Sequence, residues 1–252
     1  GDYVKVYRAG DVIPKIIDVY ISKRLPDSEK YHFPKICPCC GSVAVKEEDD
    51  AVWRCSEELI CDEQLKGKLK HFVCKGAFNI EGLGDKILDQ FFKMEWVRHP
   101  HDIFSLEKNF GEHSKIRLSQ LPGWGKLSVA NLFSSINSKR NITLERFIFS
   151  LGIRHIGENT AYLLAEYFKN FENFFEAISL VDPKKPLLNF EVYNIDGIGQ
   201  KSVNSIINFF QSVDSRGFSL KDLLKEIKVL DFQEFNRVSS ELSDKILVFT
   251  GN

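Results

Sequence analysis

The sequence predicts a mainly α-helical protein: a tandem array of glycine turns, each feeding an amphipathic helix, with a small four-cysteine metal site and a partial β segment at the N-terminus. Three observations carry that expectation. A glycine-bearing turn recurs four times with the same apolar stripe behind it. All six cysteines fall between Cys37 and Cys74. Branched apolar residues crowd the first twenty positions around a single turn. Composition sets the bounds. With 43% hydrophobic and 27% charged residues over 252 positions, the chain reads as an ordinary soluble globular protein. Lys plus Arg (34) nearly balances Asp plus Glu (35), so any nucleic-acid surface has to be a local patch. No stretch is apolar enough to cross a membrane, and no signal peptide opens the chain.

The N-terminal segment comes first. Val4, Val6, Val12, Ile13, Ile16, Ile17 and Val19 surround the turn Arg8-Ala9-Gly10-Asp11, which predicts a β-hairpin. Pro14 lacks a backbone donor and places the second strand near an edge or a bulge. Two strands cannot close a sheet alone, so residues 1–24 read as the end of a β-domain that begins upstream.

The cysteines follow. Cys37 and Cys40 enclose two residues, and Cys55 and Cys61 enclose five. Two close pairs joined by a loop suit tetrahedral zinc, because each pair clamps one edge of the tetrahedron. Gly41 fits the tight knuckle after the first pair. Val52 and Trp53 are candidates to cover the metal. Four thiolates leave no open position for water, so the expected role is structural. The competing readings are a disulfide pair or buried free thiols; clustering of the cysteines and the missing signal peptide favour zinc. Cys39 is expected to point away, and Cys74 to be a small core residue.

The repeats occupy the rest. The turns are Ile80-Glu81-Gly82-Leu83-Gly84, Leu121-Pro122-Gly123-Trp124-Gly125, Ile153-Arg154-His155-Ile156-Gly157 and Ile195-Asp196-Gly197-Ile198-Gly199. Their closing glycines lie 41, 32 and 42 residues apart, an alternating rather than a strict period. Behind the second, third and fourth turns come Val129, Leu132, Phe133 and Ile136; Ala161, Leu164, Ala165 and Phe168; and Val203, Ile206, Ile207 and Phe210. That is one face of an amphipathic helix, in the same register each time. The first copy gives Leu88, Phe91 and Phe92, then fails at Glu95.

A glycine turn that opens a helix presents unpaired backbone amides at the positive end of the helix dipole. Without a Cβ in the way, a phosphate can reach them. Such a turn holds a nucleic-acid backbone and reads no bases. This is the helix-hairpin-helix pattern, and it nominates Gly82, Gly84, Gly123, Gly125, Gly157, Gly197 and Gly199 as DNA-binding positions. Lys126 and Lys201 stand just past closing glycines and join them, as do Arg154 and His155 in the third turn, although a plain solvated turn explains that pair equally well. Lys66, Lys68, Lys70, Lys75, Lys139 and Arg140 add charge nearby, for which a solvated surface is the ordinary explanation. A purely structural helical array is the alternative to nucleic-acid binding. Asp214 to Glu241 reads as a charged helical stretch, and Lys245 to Gly251 as a strand.

In this order the parts resemble the back half of bacterial NAD-dependent DNA ligases. Gly1 to Pro14 is similar to the end of that family's OB fold, the four cysteines to its zinc finger, Gly76 to Gly84 to the segment joining finger to first hairpin, Leu151 to Glu158 to its third hairpin with the histidine included, and Lys245 to Gly251 to the opening of its BRCT domain. The resemblance implies 1–24 as OB-fold end, 25–75 as zinc finger, 76–237 as a helix-hairpin-helix domain of four hairpins, and 238–252 as linker and BRCT start. It implies a fragment of a monomeric cytoplasmic bacterial enzyme that seals 5′-phosphate/3′-hydroxyl nicks in double-stranded DNA during replication and repair. NAD and magnesium would act in the parent, outside this chain. The adenylated lysine of that family precedes x-Asp-Gly; the nearest string here, Asn194-Ile195-Asp196-Gly197, lacks it, so no catalytic residue is expected in this portion. A stand-alone helix-hairpin-helix repair module and a protein-interaction scaffold are the alternatives.

Overall fold

A computed structural model describes residues 1–10, 12–46, 51–57, 60–179, 195–212 and 219–234. The chain divides into two compact units, residues 1–56 and 57–252.

The first unit opens with the expected hairpin. Strand β1 (Val4–Ala9) pairs antiparallel with β2 (Ile13–Val19), from Val4 opposite Val19 to Ala9 opposite Ile13. Gly10 takes φ 65° at the turn, and the register shifts between Lys5 and Val6. Pro14 sits one pair from the turn, opposite Arg8. Val6, Ile13, Ile16 and Ile17 all stay exposed in this unit, as two strands without a third require. Beyond them the chain forms a two-residue ladder, β3 (Ala44–Val45) against β4 (Arg54–Cys55), which carries part of the cysteine site.

The second unit is helical and holds the core. Helices α1 (Asp62–Val73) and α2 (Asp85–Lys93) flank the first glycine turn, and α3 (Pro100–Phe110) and α4 (Lys126–Ser138) the second. After a short strand β5 (Asn141–Thr143), α5 (Leu144–Ser150) and α6 (Glu158–Phe168) flank the third. Helix α7 (Phe171–Ser179) lies before the fourth turn and α8 (Gln200–Ser212) after it. The predicted stripes face inward: Val129, Leu132, Phe133, Ile136, Ala161, Leu164, Ala165, Phe168, Val203, Ile206 and Ile207 are buried, with Phe210 packed against them. In the first copy Leu88, Phe91 and Phe92 are buried, and Glu95, where the stripe fails, has left the helix at φ 57°.

The alternating repeat period has a structural cause: the hairpins work in pairs. The first turn packs on the helix of the second hairpin, where a Cβ on Gly82 would stand 3.3 Å from Leu132. The fourth turn packs on the helix of the third, where a Cβ on Gly197 would stand 3.1 Å from Leu163. The Ser202 hydroxyl, in the first turn of α8, donates to the His155 carbonyl at 3.1 Å in the third turn. Two copies of a two-hairpin unit therefore give long, short, long spacing. His71 on α1 donates its ring Nε2–H to the Phe149 carbonyl at 2.7 Å, tying the first hairpin to α5.

Within Asp214 to Glu241, read as a charged helical stretch, the described part holds one short helix, α9 (Leu220–Glu226), and then a strand, β6 (Lys228–Leu230). Strands β5 and β6 were not read from the sequence. Strand β6 pairs parallel with β5, Ile142 opposite Val229. Three-residue strands are too short to show a period of two. The strand expected at Lys245 to Gly251 lies outside the described residues.

Candidate zinc and nucleic-acid sites

The knuckle starts from backbone bonds. The Gly41 N–H donates to the Cys37 carbonyl at 2.9 Å, and the Cys37 N–H to the Ser42 carbonyl at 2.7 Å. Closing so tight a loop needs a left-handed residue, and Gly41 supplies it at φ 74°. The ladder then sets Ala44 opposite Cys55, and Cys61 caps the N-terminus of α1. The result brings the four predicted ligands together. The Sγ atoms of Cys37, Cys40, Cys55 and Cys61 all lie within 4.8 Å of one another. Zinc–sulfur bonds of about 2.3 Å put tetrahedral sulfur pairs about 3.8 Å apart, so one zinc ion fits the donor set. The Cys40 and Cys55 sulfurs stand 3.4 Å apart, too far for a disulfide, and none of the six cysteines forms one. The Ser42 hydroxyl, then its backbone, stabilises the Cys40 thiolate and brings that thiol down to about 6. The thiolate is the metal-binding form.

Other cysteine-region expectations divide. Cys39 is exposed, as expected. Cys74 is not a core residue. It is half-buried and terminates α1, its carbonyl accepting from the Ala77 and Asn79 amides, so its backbone rather than its thiol has the structural task. Trp53 is half-buried and stacks on Phe33 at 5.9 Å between ring centres, whereas Val52 is exposed.

The four turns are one conformation. In each, the first apolar residue's carbonyl accepts from the amide three residues on: Leu83 to Ile80, Trp124 to Leu121, Ile156 to Ile153, Ile198 to Ile195. The third residue carries positive φ: 89° at Gly82, 85° at Gly123, 63° at His155 and 87° at Gly197. This is a type II turn, which requires a left-handed third residue and accepts proline second, where Pro122 stands. The next apolar side chain anchors the turn in the core, and the closing glycine caps the helix in extended conformation, as Gly84, Gly125 and Gly157 do. Gly84, Gly123, Gly157 and Gly199 have open space where a side chain would start, so a ligand can come close.

Electrostatics separate the hairpins. Helix α4 begins with Lys126, α8 begins Gln200-Lys201, and neither carries an Asp or Glu. Helices α2 and α6 begin with Asp85 and Glu158, which offset the dipole an anion would use. Asp85 lies 3.5 Å from the Lys70 ammonium, which also holds Asp89 at 3.3 Å. Glu158 turns back against Gly76. One residue here was missed: the Ser128 hydroxyl accepts from the Gly125 amide at 3.0 Å and donates to its carbonyl at 2.8 Å, fixing the start of α4. A serine three residues past the cap position was its signal.

Not all nearby cations are surface charges. Arg140 donates to the Phe104 carbonyl at 2.7 Å, to the Glu226 carbonyl at 2.9 Å and to the Glu226 carboxylate at 2.8 Å, so it staples α3, α4 and α9. Lys66 pairs with Glu63. Lys126 and Lys139 hold no such partner among the described residues, and no described helix is long and apolar enough to cross a membrane.

Four thiols placed to hold one zinc ion, together with paired glycine turns that open helices, define a zinc-finger and helix-hairpin-helix protein. The comparisons narrow that class. Residues 37–62 match the NAD-dependent DNA ligase C4 zinc finger domain, and residues 146–218 match a helix-hairpin-helix motif. Across its whole length the chain is 44% identical to the DNA ligase of Wolbachia pipientis wMel, 43% identical to that of Rhodopseudomonas palustris strain BisB5 and 41% identical to that of Roseobacter denitrificans. It spans 37%, 35% and 35% of those relatives. The chain belongs to the bacterial NAD-dependent DNA ligases, as a part that carries the zinc finger and the helix-hairpin-helix turns.

Proposed function

We propose that this portion grips double-stranded DNA on either side of a nick through the sugar-phosphate backbone, so that the parent ligase can seal the nick with NAD and magnesium. The single observation that carries this reading is the fourfold repetition of one type II turn that leads into a helix, each turn leaving open space at one glycine, Gly84, Gly123, Gly157 or Gly199. Binding of this kind is independent of sequence. Zinc braces the fold and takes no part in the chemistry, because its four thiolates leave no position for a substrate. The adenylating lysine is assigned to other parts of the parent, whose adenylation and BRCT domains are partners of this portion within one cytoplasmic monomer. Residues 1–24 are assigned to the OB fold and 238–252 to the start of the BRCT domain.

Within each pair the second member grips harder. Hairpins two and four open acid-free helices with Lys126 and Lys201, whereas hairpins one and three open with Asp85 and Glu158. The test is the affinity of the zinc-loaded chain for a nicked duplex as salt is varied. With about four phosphates engaged, log affinity is expected to fall with log salt at a slope of about −3 to −4. Lys126→Glu and Lys201→Glu should each weaken binding roughly tenfold and flatten that slope. Charge reversal at Asp85 or Glu158 should not weaken it. A flat salt dependence, or no association with nicked duplex in dilute buffer, would leave the protein-interaction reading in its place.

A further inference from the structure

Three of the four turns place glycine at the left-handed position, and the third places His155 there. An L residue with a Cβ pays roughly 1 kcal/mol or more in that conformation. Something must offset this cost. Three other L residues take positive φ: Asn79, a residue type that tolerates it, and Glu95 and Lys169, which follow helices α2 and α6, where that conformation satisfies the last carbonyls. Lys169 also pairs with Glu234 at 2.5 Å and lies 5.4 Å over the Phe232 ring. His155 ends no helix. Its side chain is exposed, so it adds nothing to the core, and among the described residues the Ser202 hydroxyl bonds its backbone carbonyl rather than its ring. Glycine would keep that bond and relieve the strain.

The fold therefore gains nothing from the imidazole, while the surface does. A Cβ and ring at this position fill the space that lets a strand settle on bare amides at Gly123. Hairpin three also opens on Glu158, which weakens its helix N-terminus as an anion site. We propose that His155 is a DNA-contacting side chain: the third hairpin holds its strand through a hydrogen bond from the imidazole to one phosphate oxygen, in place of the backbone amides used by hairpins two and four. The inference rests on the DNA-gripping reading above and assigns a different contact chemistry to one of its four turns.

The experiment uses the zinc-loaded chain, a nicked duplex and two variants that suit a left-handed backbone, His155→Gly and His155→Asn. Both should melt at a higher temperature than the parent chain, since both relieve the backbone. Both should also bind the nicked duplex about tenfold more weakly, which a merely structural role for His155 would not produce. Single methylphosphonate substitutions around the nick then locate the contact. One position should weaken the parent chain several-fold and leave both variants unaffected. Parent-like affinity in both variants, or a methylphosphonate profile unchanged by either substitution, overturns the proposal. Failure of the parent chain itself to bind would sink the DNA-gripping reading instead, so the two failures are distinguishable.

Discussion

Replacing Cys55 with serine is expected to empty the zinc site and unfold the segment built around it. Cys55 is buried on the ladder opposite Ala44, and its sulfur stands 3.4 Å from that of Cys40. A serine hydroxyl is a poor zinc ligand at neutral pH, so three thiolates would remain around an ion that prefers four. The energy at stake is large. Structural zinc contributes about 10 to 16 kcal/mol in finger peptides, and that binding energy is folding energy. Little else holds the segment: among the described residues of the first unit, the strands outside the hairpin are two residues long, and the buried apolar residues are Ala44 and Cys55. Metal analysis should fall from one zinc per chain to near zero. Amide exchange should become fast across residues 37–56, and Trp53 fluorescence should shift as its stacking on Phe33 is lost. Cys39→Ser is the control, because the exposed Cys39 lies outside the sulfur cluster; it should retain the metal. A Cys55→Ser chain that keeps one zinc and unchanged exchange would refute the four-thiolate site.

The zinc ligands were legible because the information is local. Ligand type, short spacing and one knuckle glycine define most of a tetrahedral site before any tertiary contact is known. The hairpins were legible for a related reason. A type II turn demands glycine at one place, and the helix behind it must bury a fixed stripe, so sequence and geometry share one register. Glu95 shows how fine the signal is, since the stripe breaks where the helix ends. What the sequence hid was long-range. Pairing of turn one with α4 depends on Gly82 meeting Leu132, and of turn four with α6 on Gly197 meeting Leu163. Nothing local marks those partners. The parallel strands β5 and β6 are three residues each and far apart in the chain. Cys74 misled because a thiol in an apolar stretch usually signals burial, whereas here the backbone at a helix end decides its place.

Arg140 is the clearest case of a residue whose role only the fold defines, and it carries the second large expected effect. In sequence Lys139-Arg140 follows the second hairpin and reads as part of a basic surface. In the structure its guanidinium spans three elements, with the Phe104 carbonyl at the end of one arm and the carbonyl and carboxylate of Glu226 on the other. Its own carbonyl accepts from the Lys228 amide at 2.7 Å, which joins β6 to the loop before β5. Arg140→Ala would remove the charged donor from the Glu226 carbonyl and carboxylate, from the Asn137 side-chain oxygen and from the second lone pair of the helical Phe104 carbonyl. Bonds involving charged groups are worth about 1.5 to 3 kcal/mol each, and a third-exposed side chain recovers some solvation, so a loss of about 3 kcal/mol is expected. For a unit of this size that corresponds to roughly 6 to 12 °C in melting temperature. Arg140→Lys should recover little of it, because an ammonium cannot reach three acceptors in a planar fork. Affinity for nicked DNA, measured well below the melting point, should stay near that of the parent chain. If the alanine variant kept its melting temperature and lost affinity, Arg140 would be a phosphate contact, and the link from α9 to the hairpin core would have to run through its apolar face, Leu220, Leu223 and Ile227.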